Sequence, residues 1–195
     1  LQKNILQKMN SSYTFSENDK VLQFYSKSKD KKVRVLSNFS PYEVLVSGFL
    51  YATGEHAFQA EKFVRIAAST TNSERKNILL KQSLKIKKAV TSLEAKQLGG
   101  RSKAKGLLLS MDEREIWENE CLNVQNEICN YKLKNYVDCQ TILQSHPGFY
   151  ILHQENRGKR PVWGGRIKNG VLIGENKLGI IWMFFQNFYI KNNIK

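Results

Sequence analysis

The stretch from Tyr42 to Tyr51 reads as two short strands joined at Ser47-Gly48, and it leads directly into a helical pattern behind Thr53. Glycine tolerates the positive φ that a tight hairpin requires, so the chain must reverse there and deliver the second strand to the start of a helix. Thr53 is suited to cap that helix, which places Glu55 in its first turn, where a carboxylate meets the positive end of the helix dipole. The helix is expected to run to about Ala68. Phe58, Lys62 and Ile66 fall on one stripe with Ala57, Glu61 and Arg65 beside it, the spacing of an amphipathic helix. A hairpin feeding a helix is therefore the local unit to which the remaining elements must be fitted.

Those elements are mostly helical. Val21 to Tyr25 alternates as a strand and is followed by a charged turn from Lys27 to Lys32. Serine and threonine from Ser69 to Thr71 end the first helix, and Asn72 or Ser73 caps a second through Ser83. Ser92 caps a third, short helix that stops at Gly99-Gly100. Asp112 opens the longest pattern, with Ile116, Cys121, Val124, Ile128, Tyr131 and Leu133 at near-helical spacing, and a further helix covers Val137 to Leu143. His146-Pro147-Gly148 forms a turn and Phe149 to His153 a strand. Trp163 to Gly179 reads as a glycine-rich loop, and a last helix starts near Asn176 and carries an apolar run to Tyr189. Residues 1–20 are expected to be a loose arm, 21–190 one domain and 191–195 a tail. The fold class expected is mainly α, an α+β domain with a small N-terminal β hairpin.

At 195 residues, with 41% hydrophobic and 11% aromatic side chains, the chain has the composition of a globular protein with its own core. No apolar run approaches the roughly 20 residues needed to cross a bilayer, and no targeting signal is read, so the expectation is a soluble, cytoplasmic protein without a membrane partner. Cys121, Cys129 and Cys139 match neither a disulfide framework nor a zinc site and are expected to be reduced, buried thiols. The net charge of +14 attracts phosphates over roughly 10 Å at 0.1 M salt and makes polyanionic partners plausible. Scattered lysine that only solubilises the protein accounts for the same number.

Several separated pieces recur in a fixed order: Leu36-Ser37-Asn38-Phe39, Gly48, Tyr51, Thr53 with Glu55-His56-Ala57-Phe58-Gln59-Ala60-Glu61-Lys62-Phe63, then Trp163-Gly164, Gly174, Asn176, Leu178-Gly179 and Met183. Ala95-Lys96, Leu98-Gly99, Arg101, Trp117 and Lys132 lie between them. In this order and spacing the chain resembles the YbiA-like (NADAR) N-glycosidases from Val21 to Ile190. The resemblance implies cleavage of the bond between a ribose C1′ and a nitrogen. Some members act on ribosylaminopyrimidine intermediates of riboflavin synthesis, and others remove ADP-ribose from guanine in DNA. It implies Glu55 as the catalytic carboxylate, in a cleft gathering the Asn38 loop, the Glu55 helix start, Trp117 and the glycine loop. The partners implied are a ribosyl or ADP-ribosyl substrate and DNA carrying ADP-ribose, with no cofactor and no metal.

The chemistry suits the residues. Breaking a ribose C1′–N bond passes through an oxocarbenium-like state, which a nearby carboxylate stabilises while taking a proton from the attacking water. By default, a glutamate in a first helical turn is a capping and dipole device. Asn38 and Phe39 are expected at the substrate, Asn38 bonding ribose or phosphate oxygens, though Asn38 also suits a turn before Pro41. Gln59 is expected there too. His56, about 100° around the helix from Glu55, either lines the site or is a hydrogen-bonded core histidine. Trp117 either stacks on a base or packs in the core. Arg101, Arg160, Trp163, Gly164 and Asn176 complete the expected substrate contacts, with the glycine loop and the following helix start offering amides to a phosphate. One position departs from the family: Arg160 stands where its members usually carry an aspartate, three residues before the Trp-Gly pair. Two further readings follow, a module that holds NAD or ADP-ribose without cleaving it, and a basic nucleic-acid-binding protein without pocket chemistry.

Overall fold

The computed structural model describes residues 14–100 and 106–193. In chain order they form β1 (Val21–Phe24), a 3-10 turn (Lys32–Leu36), β2 (Val44–Val46), β3 (Phe49–Tyr51), α1 (Gly54–Ser69), α2 (Ser73–Lys87), α3 (Ser92–Gly99), α4 (Met111–Asn135), α5 (Val137–Ser145), β4 (Tyr150–His153), β5 (Gly165–Lys168), β6 (Val171–Gly174) and α6 (Lys177–Asn193). The protein is thus mainly helical with short strands, as expected. Among the described residues, chain contacts define two compact units, one within 38–135 and the other from 14–37 with 136–193.

In the Asn38–Asn135 unit the hairpin turns at Ser47 (φ 52°) and Gly48 (φ 80°), the paired positive φ values of a tight two-residue turn, and sets Val44 opposite Tyr51. Val44, Val46 and Tyr51 are buried. The hairpin is joined to α1 through Glu61, a completely buried carboxylate that accepts hydrogen bonds from the Tyr51 hydroxyl (2.6 Å) and the Ser47 hydroxyl (2.9 Å) and pairs with Arg65 (3.2 Å). Ala57, Ala60, Phe63, Ile66 and Ala67 bury the rest of α1. Asn72 caps α2, which runs on to Lys87 rather than ending at Ser83, because Leu79, Gln82, Ser83 and Ile86 continue one buried stripe. The cap of α3 is Thr91, not Ser92. The Thr91 hydroxyl accepts from the Glu94 amide (3.1 Å), and the Glu94 carboxylate accepts from the Val90 amide (2.7 Å). The Ser92 hydroxyl meets Thr53 instead, at 3.0 Å. A reciprocal pair between Ser110 and Glu113 starts α4, with Arg75 forking onto the Glu113 carboxylate at 2.7 Å from two nitrogens.

In the other unit β1 and β4 pair in parallel, Val21 opposite Tyr150, and α6 lies against β4. The buried Trp182 donates from Nε1 to the Leu36 carbonyl (3.0 Å), and Gln186 donates to the carbonyls of Leu143 (2.9 Å) and His146 (2.7 Å). The stretch expected to be a glycine-rich loop contains a hairpin, β5–β6, turning at Asn169 (φ 51°) and Gly170 (φ 74°). Asn-Gly between apolar alternations is a strong hairpin signal that the count of glycines obscured. Ordered structure also begins before Val21, since Thr14 bridges to Val171 and the Phe15 amide donates to the Gly170 carbonyl (2.6 Å). The rest of the expected N-terminal arm, through residue 13, lies outside the described residues, as do 194 and 195 of the tail. The three cysteines are not joined in disulfides, with Cys129 and Cys139 buried and Cys121 half-buried. Among the described residues no helix is long and apolar enough to cross a membrane.

The Tyr51–Glu61 bond carries a measurable load. Burial, then Glu61, push the Tyr51 hydroxyl far above the ordinary tyrosine range, so it is a permanent donor. Tyr51→Phe leaves a buried carboxylate short of one partner, and urea unfolding should show a loss of about 1–3 kcal/mol. A loss near zero would mean that the Tyr51 hydroxyl does not help to hold the hairpin on α1.

Candidate active site

The start of α1 is built from three separate stretches of chain. Thr53 has extended backbone and caps the helix, its hydroxyl accepting from the His56 amide (3.4 Å). The Glu55 amide lies in the first turn, where no intrahelical carbonyl is available, and it donates to the Asn38 carbonyl (2.9 Å). The Asn38 side chain exchanges two hydrogen bonds with Gln125 of α4, at 2.8 and 3.1 Å. Gly54 permits this approach: a Cβ there would stand 3.0 Å from Asn38 Oδ1 and 3.2 Å from its Cα. Asn38 is thus buried and engaged on both sides of its amide, which makes it the clasp of the helix start.

Glu55 is 6% exposed, and burial pushes its carboxyl above the ordinary range. Three groups pull the other way: the Gln59 amide, which donates to Oε1 at 2.9 Å, and the ammonium groups of Lys96 and Lys62. Gln59 in turn accepts from Lys62 Nζ at 3.0 Å, and Lys62 also donates to the Gly99 carbonyl at the end of α3. Lys96 lies over the half-buried Phe39 ring, 5.5 Å from its centroid. Asn38, Phe39, Glu55 and Gln59 therefore belong to one arrangement, and Gln125, Lys62, Lys96 and Gly99 join it without having been expected as site residues. For Lys62 the signal was present, because Glu55, Gln59 and Lys62 stand at the four- and three-residue steps of one helix face. For Gln125, distant in sequence from Asn38, there was none.

His56 takes the core role of its two readings. It is 2% exposed, with Nδ1 2.8 Å from the Thr53 hydroxyl and Nε2 3.0 Å from the Ala89 carbonyl. A carbonyl only accepts, so Nε2 bears a proton and donates there, while Nδ1 and the Thr53 hydroxyl share the second hydrogen bond. Its ring ties α1 to the segment between α2 and α3, the second of the two readings open for it in the sequence. Trp117 is half-buried on α4 and meets Phe58 edge to face, centroids 4.9 Å apart. Arg101, with Lys103 and Lys105, lies outside the described residues.

The remaining expected residues fall in the other unit. Arg160 is exposed there. Trp163 is half-buried, and its carbonyl accepts from the Leu178 amide (3.1 Å) with His153 Nδ1 at 3.2 Å. Asn176 is wholly buried with φ 50°. Its Oδ1 accepts from the His153 amide (3.0 Å), and its Nδ2 donates to the Ile151 carbonyl (2.8 Å) and the Tyr150 hydroxyl (3.2 Å). Asn176 is a strut between β4 and α6, not a group turned toward a ligand. The amides of Glu175, Asn176, Lys177 and Leu178 are likewise taken, by the carbonyls of Pro161, Gly164, Val162 and Trp163. The helix start expected to cradle a phosphate is thus closed by its own chain. A Cβ on Gly164 would run into His153 and Glu155, so that glycine is required by packing. Among the described residues no group of three His, Cys, Asp or Glu side chains converges as a metal site would require.

These features define a mainly helical α+β protein whose most distinctive polar group is a desolvated glutamate at a helix start. No family model matches the chain. It is 26% identical over 166 residues to N-glycosidase YbiA of Escherichia coli (strain K12), an alignment covering 85% of this chain and 86% of that protein. It matches N-glycosidase YbiA of Shigella boydii serotype 4 (strain Sb227) to the same extent. The fold is similar to that of the solution structure of the E. coli protein YbiA, with a TM-score of 0.61 at 20% identity over 93% of this chain and 92% of that one. The chain is a homologue of N-glycosidase YbiA, in agreement with the YbiA-like (NADAR) pattern of its motifs.

The raised Glu55 carboxyl has a consequence for stability. A group that binds its proton more tightly when folded stabilises the fold fully below its unfolded value, here 4.5, and loses that contribution as pH rises through the folded value. Glu55→Gln keeps an acceptor for Gln59 and carries no charge. In urea unfolding it should be more stable than wild type at pH about 8, with the gap closing as pH falls toward about 4.5. A gap that does not change with pH would show that Glu55 is not held against its charge.

Proposed function

We propose that the protein hydrolyses the bond between a ribose C1′ and a nitrogen, with Glu55 as the reacting carboxylate. The observation that carries this reading is Glu55 itself, buried at the start of α1 in a homologue of N-glycosidase YbiA. A desolvated carboxylate lacks a full counter-charge in the resting protein. When the C1′–N bond lengthens, its electron pair leaves with the nitrogen and the ribose becomes cationic, and in a low-dielectric site the attraction to Glu55 is far stronger than in water. Stabilisation realised mainly at that point lowers the barrier rather than only tightening binding. The attacking water then forms the new C1′–O bond and gives its proton to Glu55, while the departing nitrogen takes a proton from solvent or from a group on the substrate.

The substrate proposed is ADP-ribose attached to guanine in DNA, with a phosphoribosyl-aminopyrimidine as the alternative of the same bond type. The net charge of +14 favours the polyanion. Arg160, exposed where the family usually has an aspartate, supports a second reading in which ADP-ribose is bound without being cleaved, since an arginine suits a phosphate better than proton transfer.

Both substrates should be incubated with wild type and with Glu55→Gln, and the released ribosyl product measured. Wild type should turn over at least one of them, and the variant should be slower by about 100-fold or more. Equal release by both proteins, above background, would remove Glu55 from the mechanism. Tight ADP-ribose binding by calorimetry with no turnover of either substrate would favour the binding module.

A further inference from the structure

We infer that Lys62 and Gly99 act through Gln59 to hold Glu55 in its ionised, proton-accepting form, which makes Gln59 a positioning residue for the carboxylate rather than a contact to substrate. The inference rests on Glu55 being the reacting group, as proposed above.

The direction of the Gln59 amide is fixed by chemistry. An ammonium has only hydrogens to offer, so the amide atom 3.0 Å from Lys62 Nζ is the oxygen. The amide nitrogen is therefore the atom that faces Glu55 Oε1 at 2.9 Å. A donor aimed at a carboxyl oxygen favours the carboxylate over the acid, because the bond to the charged form is the stronger one. Turning the amide over would let Oε1 of Gln59 accept a proton from a neutral Glu55, but it would also set the NH2 group against the Lys62 ammonium. While Lys62 stays in place, Gln59 cannot serve the acid.

Lys62 is itself anchored. Its ammonium donates to the Gly99 carbonyl at the C-terminal end of α3, where the helix dipole favours a cation. Gly99 also makes room for the amide, since a Cβ at that position would overlap Gln59 Oε1 and Cδ. Lys62 is 9% exposed, so water screens this arrangement little. The chain from Gly99 to Lys62, Gln59 and Glu55 thus opposes the desolvation that pushes the Glu55 proton on, and does so with the same groups that fix its orientation.

The test uses Lys62→Met, Gln59→Leu and Gly99→Ala, with Lys62→Arg as the conservative control. The Glu55 carboxyl is titrated directly by carbon-13 NMR, its resonance assigned by its loss in Glu55→Gln, and the pH profile of kcat/KM is measured beside it. In the first three variants the carboxyl midpoint should move to higher pH, and the acid limb of the profile should move with it. On that limb kcat/KM should fall about tenfold for each unit of displacement, while Lys62→Arg stays near wild type. Lys62→Met also removes a cation that acts on Glu55 directly, so the decision rests on the other two: an unmoved carboxyl midpoint in folded Gly99→Ala overturns the inference, and so does an unmoved midpoint in Gln59→Leu. If wild type cleaves no ribosyl substrate, the catalytic reading of Glu55 fails on its own, and the NMR midpoints still decide whether Lys62 and Gln59 hold the carboxylate.

Discussion

The hydrogen bond from the Glu55 amide to the Asn38 carbonyl is the contact on which the candidate site depends. It supplies a partner to a first-turn amide that a helix cannot satisfy by itself, and it brings a loop from before the hairpin against the helix that follows it. Gly54 makes the approach sterically possible, and Gln125 holds the other face of the Asn38 amide from the middle of α4. Three parts of the chain are thereby committed to one small volume before any substrate arrives. Pre-set geometry of this kind is what a carboxylate needs if it is to stabilise a fleeting cation without first rearranging.

Two buried glutamates on α1 show how context divides similar groups. Glu61 is surrounded by the Tyr51 and Ser47 hydroxyls and by Arg65, and its charge fastens the hairpin to the helix. Glu55, six residues earlier, has an amide and two more distant cations for company, and burial dominates its titration. A fully partnered carboxylate is a structural device. One with incomplete compensation retains the capacity to respond to new positive charge, which is the property that glycosidic cleavage draws on.

Much of the architecture was legible in local chemistry. Ser47-Gly48 marked the hairpin, Thr53 and Asn72 the helix caps, and the periodicity from Asp112 the long helix, because turn conformation, capping and amphipathic spacing are decided within a few residues. The errors came where local signals competed. Thr91 and Ser92 are both good caps, and while Thr91 caps the helix the Ser92 hydroxyl is hydrogen-bonded with that of Thr53, distant in sequence. The glycines after Trp163 suggested an open phosphate loop, whereas the amides at the start of α6 are consumed by the carbonyls of Pro161 to Gly164. Asn176, which has the look of a ligand-binding residue in the sequence, is consumed in the same way.

By itself the sequence determined the class of the fold, the position of Glu55 in a first helical turn and the likeness to the N-glycosidases, since propensity, capping and motif order are properties of the chain read in one dimension. Tertiary structure alone decided which polar groups face one another. It paired Asn38 with Gln125, turned His56 into a core tether between Thr53 and Ala89, and set Gly99 behind Gln59. Desolvation and hydrogen-bond direction depend on neighbours brought together by folding, and those two quantities separate a carboxylate poised for chemistry from one that only caps a helix.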